Sequence, residues 1–290
     1  MKLLLLGYIL LGLLYLTFTH LAIKVKNENV KLKHAQKKFV ENFNNSNLKI
    51  WAWAINPDRK KMEDGSKRFL DTCKKFNIDA ELIGIGYEYK RHQNQDRFYV
   101  LRDKLNSVKD NQIVVVMDAF DTLMNGTEQE IVNKFLEKNT NILFSAEKAY
   151  NYQYIEYKNK FLNDKSPYKY INAGTFMGYA KDLKKMNDDC IYMLENNEEY
   201  KNAAEMGLMG IWVSERINNK NLIKLDTNCD VFWVTTDDYE IFRKEIKLKN
   251  KIIKNKKTNT KPCILHVIGG NAEDIRSSDY NNAYLKVINF

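Results

Sequence analysis

Cysteine and histidine are both scarce in this chain, with four of each among 290 residues. Cys73, Cys190, Cys229 and Cys263 lie far apart, and no C-x-x-C or Cys/His pair has zinc-site spacing, which argues against a structural metal module. An even count permits disulfides in an oxidising lumen, and four buried free thiols fit equally well. Two of the histidines, His20 and His34, fall in the amino-terminal 47 residues, so His92 and His266 are the only candidates for histidine chemistry in the body. Proline is rarer still, at three residues, while Lys and Asn abound; coding bias accounts for that as readily as function does. The net charge of +9 suits an anionic ligand or surface. The basic residues are dispersed, however, and their densest run, 247–257, lacks the aromatic interleaving of nucleic-acid sites. A solvated basic face is expected there, and no nucleic-acid partner.

Long apolar runs are missing except at the start. Residues 3–23 carry no charge, and at ~1.5 Å per residue they suffice to cross a hydrocarbon core of ~30 Å. A cleaved signal peptide is the rival reading, but His20-Leu-Ala22 is a poor small-x-small site. An uncleaved transmembrane signal-anchor over 1–23 is therefore expected, followed by a polar stem over 24–47 without Gly or Pro. Lys24, Lys26, Lys31 and Lys33 follow the segment, and the positive-inside rule would keep the bulk of the chain cytoplasmic. Asn44-Asn-Ser46 and Asn125-Gly-Thr127 are glycosylation sequons, usable only in the secretory pathway.

The remaining residues can bury a full core, and from residue 48 onward strand and helix patterns alternate. Strands are predicted over 49–55, 80–85, 113–117 and 141–145, with helices over 62–76, 96–108 and 127–138. Thr127 followed three residues later by Glu130 predicts a capping box. Further on, 170–180 reads as extended, 182–195 and 200–218 as helical, and 263–266 as a late strand. This alternation predicts an α/β fold with a parallel sheet covered on both faces.

The run Ile113-Val-Val-Val-Met117 ends on Asp118-Ala-Phe-Asp121. An apolar run closing on an acid marks the carboxyl end of a buried strand, where ligands sit in open α/β sheets. Two chemistries compete for the pair. In a haloacid-dehalogenase-type phosphatase Asp118 would be the nucleophile and Ser145 would belong to the second motif. Against this, Phe120 stands where the acid/base Asp is expected, and two strand-helix units precede a motif that normally opens its domain. In a metal-dependent nucleotide-sugar transferase the two acids would hold a divalent cation on a diphosphate. His266 closes the late strand and can add a ligand. It leads into Gly269-Gly270-Asn271, a turn whose backbone can approach phosphates.

Five pieces occur in order across the body: Ala80-Glu-Leu-Ile-Gly-Ile-Gly86, Val116-Met-Asp-Ala-Phe-Asp121, Leu143-Phe-Ser-Ala-Glu147, Ile171-Asn-Ala-Gly-Thr-Phe-Met-Gly-Tyr-Ala180 and Ile264-Leu-His266. Together they resemble the glycosyltransferase domain of the procollagen lysyl hydroxylases and related collagen-glucosyltransferase-like proteins. The resemblance implies a GT-A-like, Rossmann-type mixed, mostly parallel sheet flanked by helices over 48–290. It also implies Mn²⁺ held by Asp118, Asp121 and His266, and UDP-glucose or UDP-galactose as donor. The acceptor would be a hydroxyl of a protein or glycan, hydroxylysine or galactosyl-hydroxylysine of a collagen-like protein among them. The implied setting is a single-pass membrane protein facing the endoplasmic reticulum or Golgi lumen, in conflict with the charge rule above. A homodimer is compatible with it.

By the same resemblance Asn56 follows the first strand where the nucleotide is contacted. Arg97 stands where the family has a Lys, and an Arg can pair with a diphosphate. Asn172 and Gly174 line the donor or acceptor pocket, or serve tight strand packing. Glu205 is the one acid kept from an acidic cluster facing the sugar. The loop after His266 departs from the family's Gly-Asn-Gly-Pro. These departures leave a sugar- or nucleotide-binding pseudoenzyme as the alternative to a transferase.

Overall fold

A computed structural model describes residues 47–91, 94–151, 154–161, 165–235, 239–249 and 252–268, together with Lys24 and Lys26. The chain divides into two compact units, Met1–Asn44 and Asn45–Phe290. The anchor expected over 1–23, most of the stem, the Asn44 sequon, His92 and Gly269-Gly270-Asn271 lie outside the described residues. Among the described residues no helix is long and apolar enough to cross a membrane.

The body is α/β. Its main sheet has six strands in the order β2 (Ala80–Ile85), β1 (Leu48–Asn56), β3 (Ile113–Asp118), β6 (Tyr170–Tyr179), β5 (Ile142–Glu147) and β7 (Ile223–Leu225). β1 runs parallel to β2 and to β3, and β5 runs parallel to β7; only β6 is antiparallel, to both β3 and β5. The sheet is therefore mixed and mostly parallel, and the fully parallel sheet expected from alternation alone is corrected at β6. Strand β6 is buried over nearly its whole length because it lies between two neighbours with both faces covered, and burial carries no record of direction.

Residues Ile113 to Met117 of β3 are completely buried. With period-two alternation, Val114 and Val116 join the core cluster on one face while Ile113, Val115 and Met117 point to the other. Three helices fill the first face: α3 (Asp96–Leu105), α5 (Ala180–Asn196) and α6 (Glu205–Arg216), through residues such as Phe98, Leu101, Leu183, Met186, Leu208 and Trp212. Phe69 of α2 (Lys67–Lys75) and Ile131, Val132 and Phe135 of α4 (Glu128–Lys138) are buried outside that cluster. Each such side chain contributes about 1.5–3 kcal/mol relative to exposure.

The capping box is present: Thr127 accepts from the Glu130 N–H, and the Glu130 carboxylate accepts from the Thr127 N–H at 3.0 Å. The single helix expected over 62–76 is instead two, α1 (Arg59–Gly65) and α2, broken at Ser66. The Ser66 hydroxyl donates to the Met62 carbonyl at 2.7 Å, a local bond that competes with helix continuation. The start moves back to Arg59 because the Asp58 side chain accepts from the Lys61 N–H. The helix expected over 200–218 is shortened to α6, since Ala204 is extended and Glu205 becomes the first helical residue.

A second sheet positions the site. β4 (Thr122–Met124), β11 (Ile264–His266) and β8 (Phe232–Val234) form three strands in the order β4-β11-β8. β4 and β11 are antiparallel with His266 opposite Thr122, and the Val267 N–H donates to the Asp121 carbonyl at 2.7 Å. A two-stranded hairpin, β9 (Ile246–Lys249) with β10 (Ile252–Asn255), follows the short helix α7 (Tyr239–Glu245).

All four cysteines are buried free thiols. The Asn125 sequon is corrected as well. Its side chain is wholly buried, donating to the carbonyls of Ile253 and Pro262 and accepting from the Ile253 N–H. The folded chain offers no free amide there.

Candidate active site

The acid pair stands at the end of β3 because a buried strand cannot carry a carboxylate until it emerges. Asp118 is the last residue of β3, paired with Trp53 of β1, and Asp121 precedes β4. Because β4 pairs with β11, His266 arrives beside them: its Nε2 lies 3.3 Å from Asp121 Oδ2 and 3.5 Å from Asp118 Oδ2. One ligand atom from each of the three falls within 4.8 Å of the others.

A bulge in β6 makes room for this cluster. On β5 the consecutive residues Phe144 and Ser145 face Phe176 and Asn172, so Ala173, Gly174 and Thr175 have no partners on β5. Gly174 sits in that bulge. A Cβ placed on it would come within 2.2 Å of His266 Cε1 and 2.7 Å of Asp118 Oδ2. The missing side chain is thus what admits the imidazole and carboxylate.

Asn172 fixes the imidazole. Its Oδ1 accepts from the Gly174 N–H at 3.0 Å, which identifies the oxygen, and the same atom lies 3.0 Å from His266 Nδ1. His266 therefore carries its proton on Nδ1 in the neutral tautomer and turns Nε2 toward the two acids. The Asn172 amide nitrogen donates to Glu147 at 3.2 Å, and Asn151 donates to the other oxygen of that carboxylate at 3.0 Å.

Arg97, on α3, closes the opposite side. Its guanidinium lies 2.7 Å from Asp118 and 3.2 Å from Glu205, with Trp53 beneath it at 5.5 Å. Among the described residues, neither Asp121 Oδ1 nor Glu205 Oε1, both buried, has a hydrogen-bond partner.

The electrostatics follow from burial. Desolvation raises the Asp118 pKa, opposed by Arg97 and reinforced by the Asp121 charge. Burial pushes Glu205 up to about 7, with Arg97 opposing and Asp118 adding. Burial likewise lifts Glu147 to about 7, against its hydrogen bond from Asn172. For His266 burial alone would lower the pKa, but Asp121, Asp118 and Glu147 outweigh it and raise it to about 9.

The structure thus brings together Asp118, Asp121, His266, Gly174, Asn172, Arg97 and Glu205. Asn56 is the last residue of β1, at the same end of the sheet, and its Oδ1 accepts from the Asp58 N–H at 2.8 Å. Glu147 was missed as a site residue. Its signal was the one that revealed Asp118, an apolar strand, Ile142 to Ala146, ending on an acid. Trp53 was also missed, since an apolar residue inside a strand gives no sign of lying under a guanidinium. Ser145 does not fit the phosphatase reading: it lies on β5, separated from β3 by β6, and its hydroxyl donates to the Asn172 carbonyl.

A family model described as the PLOD GT domain matches residues 20–287. The chain belongs to that family. It is similar to a Caenorhabditis elegans multifunctional procollagen lysine hydroxylase and glycosyltransferase, 26% identical over 243 residues, covering 77% of this chain and 30% of the relative. A Drosophila melanogaster procollagen-lysine,2-oxoglutarate 5-dioxygenase is 24% identical over 266 residues, covering 84% of this chain and 33% of that one. Uncharacterized protein R699 of Acanthamoeba polyphaga mimivirus is 26% identical over 231 residues, covering 77% of this chain and 46% of its own. The chain therefore spans less than half the length of these relatives. Among solved structures, a glycosyltransferase involved in glycosylation of the major capsid of PBCV-1 superposes with a TM-score of 0.50 at 9% identity, covering 82% of this chain and 98% of that one. The sheet is accordingly of a glycosyltransferase fold, and the PLOD GT domain is a transferase family.

Proposed function

We propose that the chain is a Mn²⁺-dependent hexosyltransferase that moves glucose or galactose from a UDP-sugar to an acceptor hydroxyl, hydroxylysine or galactosyl-hydroxylysine of a collagen-like protein being one candidate. The observation that carries this reading is the convergence of Asp118, Asp121 and His266 around the space left by Gly174. Two carboxylates and one imidazole are hard and borderline donors that suit Mn²⁺. The unpartnered Asp121 Oδ1 is the kind of buried atom that a cation satisfies. When bound there, the ion would neutralise charge on a UDP leaving group.

The protein's own groups supply the rest. Arg97, now shared between Asp118 and Glu205, is placed to take up diphosphate charge once a cation occupies the acids. Asn172 holds the His266 Nε2 toward the acids. Glu205, with a pKa near 7 and a free Oε1, can accept the proton of the acceptor hydroxyl. Asn56 and the turn at Gly269-Gly270-Asn271 would contact the nucleotide and its phosphates. By family likeness the setting would be a lumen-facing membrane protein held by the 1–23 segment.

The test is hydrolysis of UDP-glucose and UDP-galactose with Mn²⁺, on wild type and Asp121→Ala. Turnover by the wild type with a loss of at least ~100-fold in the variant supports the transferase. UDP binding without turnover against any acceptor would make the chain a pseudoenzyme, and Mg²⁺-dependent phosphatase activity would overturn both.

A further inference from the structure

Away from the acid cluster, five lysines line one cavity. Lys160, Lys165, Lys169, Lys220 and Lys224, with Phe161, Ile217, Leu225 and Thr227, bound a space of about 680 Å³. It lies at β7, the edge strand of the sheet among the described residues. Phe161 and Ile217 are buried and Leu225 half-buried, so the floor is apolar and the charge is on the rim. No carboxylate is among the described residues lining it.

Several lysines elsewhere in the body are neutralised by neighbouring acids. Lys104, Lys138, Lys184 and Lys261 each meet a carboxylate, Glu81, Asp226 with Asp230, Asp110 and Glu130 respectively. None of the five cavity lysines makes an ion pair among the described residues. Lys224 donates to the Lys138 carbonyl and Lys169 lies over the Tyr170 ring, while Lys160, Lys165 and Lys220 are exposed. Like charges gathered on one concave rim repel one another and focus a positive potential into it. A multivalent anion removes that repulsion.

We propose that this cavity binds a small organic polyphosphate. Its size falls in the range of small-ligand pockets rather than of an extended protein interface. Its donors are ammonium groups, which act as point charges toward phosphate. The apolar floor accommodates an organic body, and the rim its phosphates. The site shares no residue with the Asp118 cluster.

Calorimetric titration of the whole chain with inositol hexakisphosphate and with inorganic tripolyphosphate, at ~0.15 M salt where diffuse surface attraction is screened, tests this. Both probes should bind, with the affinity falling at least ~10-fold in Lys165→Glu/Lys220→Glu, and three- to ten-fold in Lys165→Gln/Lys220→Gln. Asp118→Asn should leave it unchanged, and the lysine variants should keep the wild-type melting temperature. Absence of heat in the wild type, or indifference to both lysine variants, would overturn the proposal. A gain in Asp118→Asn, which removes a negative charge beside Arg97, would place the anion in the acid site instead. Hexa-aspartate binding as tightly as tripolyphosphate, with the same lysine dependence, would replace the polyphosphate by an acidic peptide partner.

Discussion

Gly174 is the residue on which the candidate site turns. A methyl group there would overlap His266 and Asp118, and His266 is held in place by the β4–β11 ladder. Gly174→Ala should weaken Mn²⁺ binding by 10- to 100-fold, the range seen when a metal ligand's support is disturbed. Overpacking should also cost about 1–3 kcal/mol of stability. Electron paramagnetic resonance of free Mn²⁺ and urea unfolding measure the two effects. His266 makes binding pH-dependent. Its pKa is raised to about 9 in the fold, from an ordinary value of about 6.5. The imidazolium stabilises the metal-free fold fully below about 6.5, and that contribution is lost as pH rises through about 9. A cation needs the Nε2 lone pair, so binding displaces a proton. Apparent Mn²⁺ affinity should therefore climb with pH, by at most about tenfold per unit, and level off above about 9. Calorimetry in two buffers of different ionisation enthalpy would show the released proton, and an affinity flat between pH 6.5 and 8.5 would contradict the scheme.

Gly65, at the end of α1, borders the turn between the acids, and the α4 cap lies outside it. Phe120, between Asp118 and Asp121, packs on Gly65, where a Cβ would come 2.7 Å from its ring. In an exposed helix Gly→Ala gains about 1 kcal/mol. Here the steric cost should reverse the sign, so Gly65→Ala should destabilise by about 1–3 kcal/mol and lower Mn²⁺ affinity through the displaced turn. Thr127→Ala removes a cap of ordinary kind and should cost about 0.5–2 kcal/mol with no effect on metal affinity. Thermal unfolding with and without Mn²⁺ separates the two variants. The cap was legible because its signature is local, Thr127 to Glu130. The packing of Gly65 was not, because the ring that forbids a side chain there comes from 55 residues further along the chain.

For the whole molecule, a cation that binds only the folded chain should raise its melting temperature in step with concentration, worth about 2.7 kcal/mol at a hundred times Kd. That rise should vanish in Asp118→Asn/Asp121→Asn. Sequence by itself determined the apolar strand Ile113 to Met117, the acids that end it, and most elements around it, because burial periodicity and capping are written in neighbouring residues. It also carried the ordered motifs by which the family is known. Only the tertiary structure decided that β6 runs against its neighbours, that its bulge leaves Gly174 open, and that β4 and β11 join to bring His266 to Asp121. Strand direction and long-range pairing cost nothing locally and leave no periodic trace. They are settled by which edges meet when the core closes.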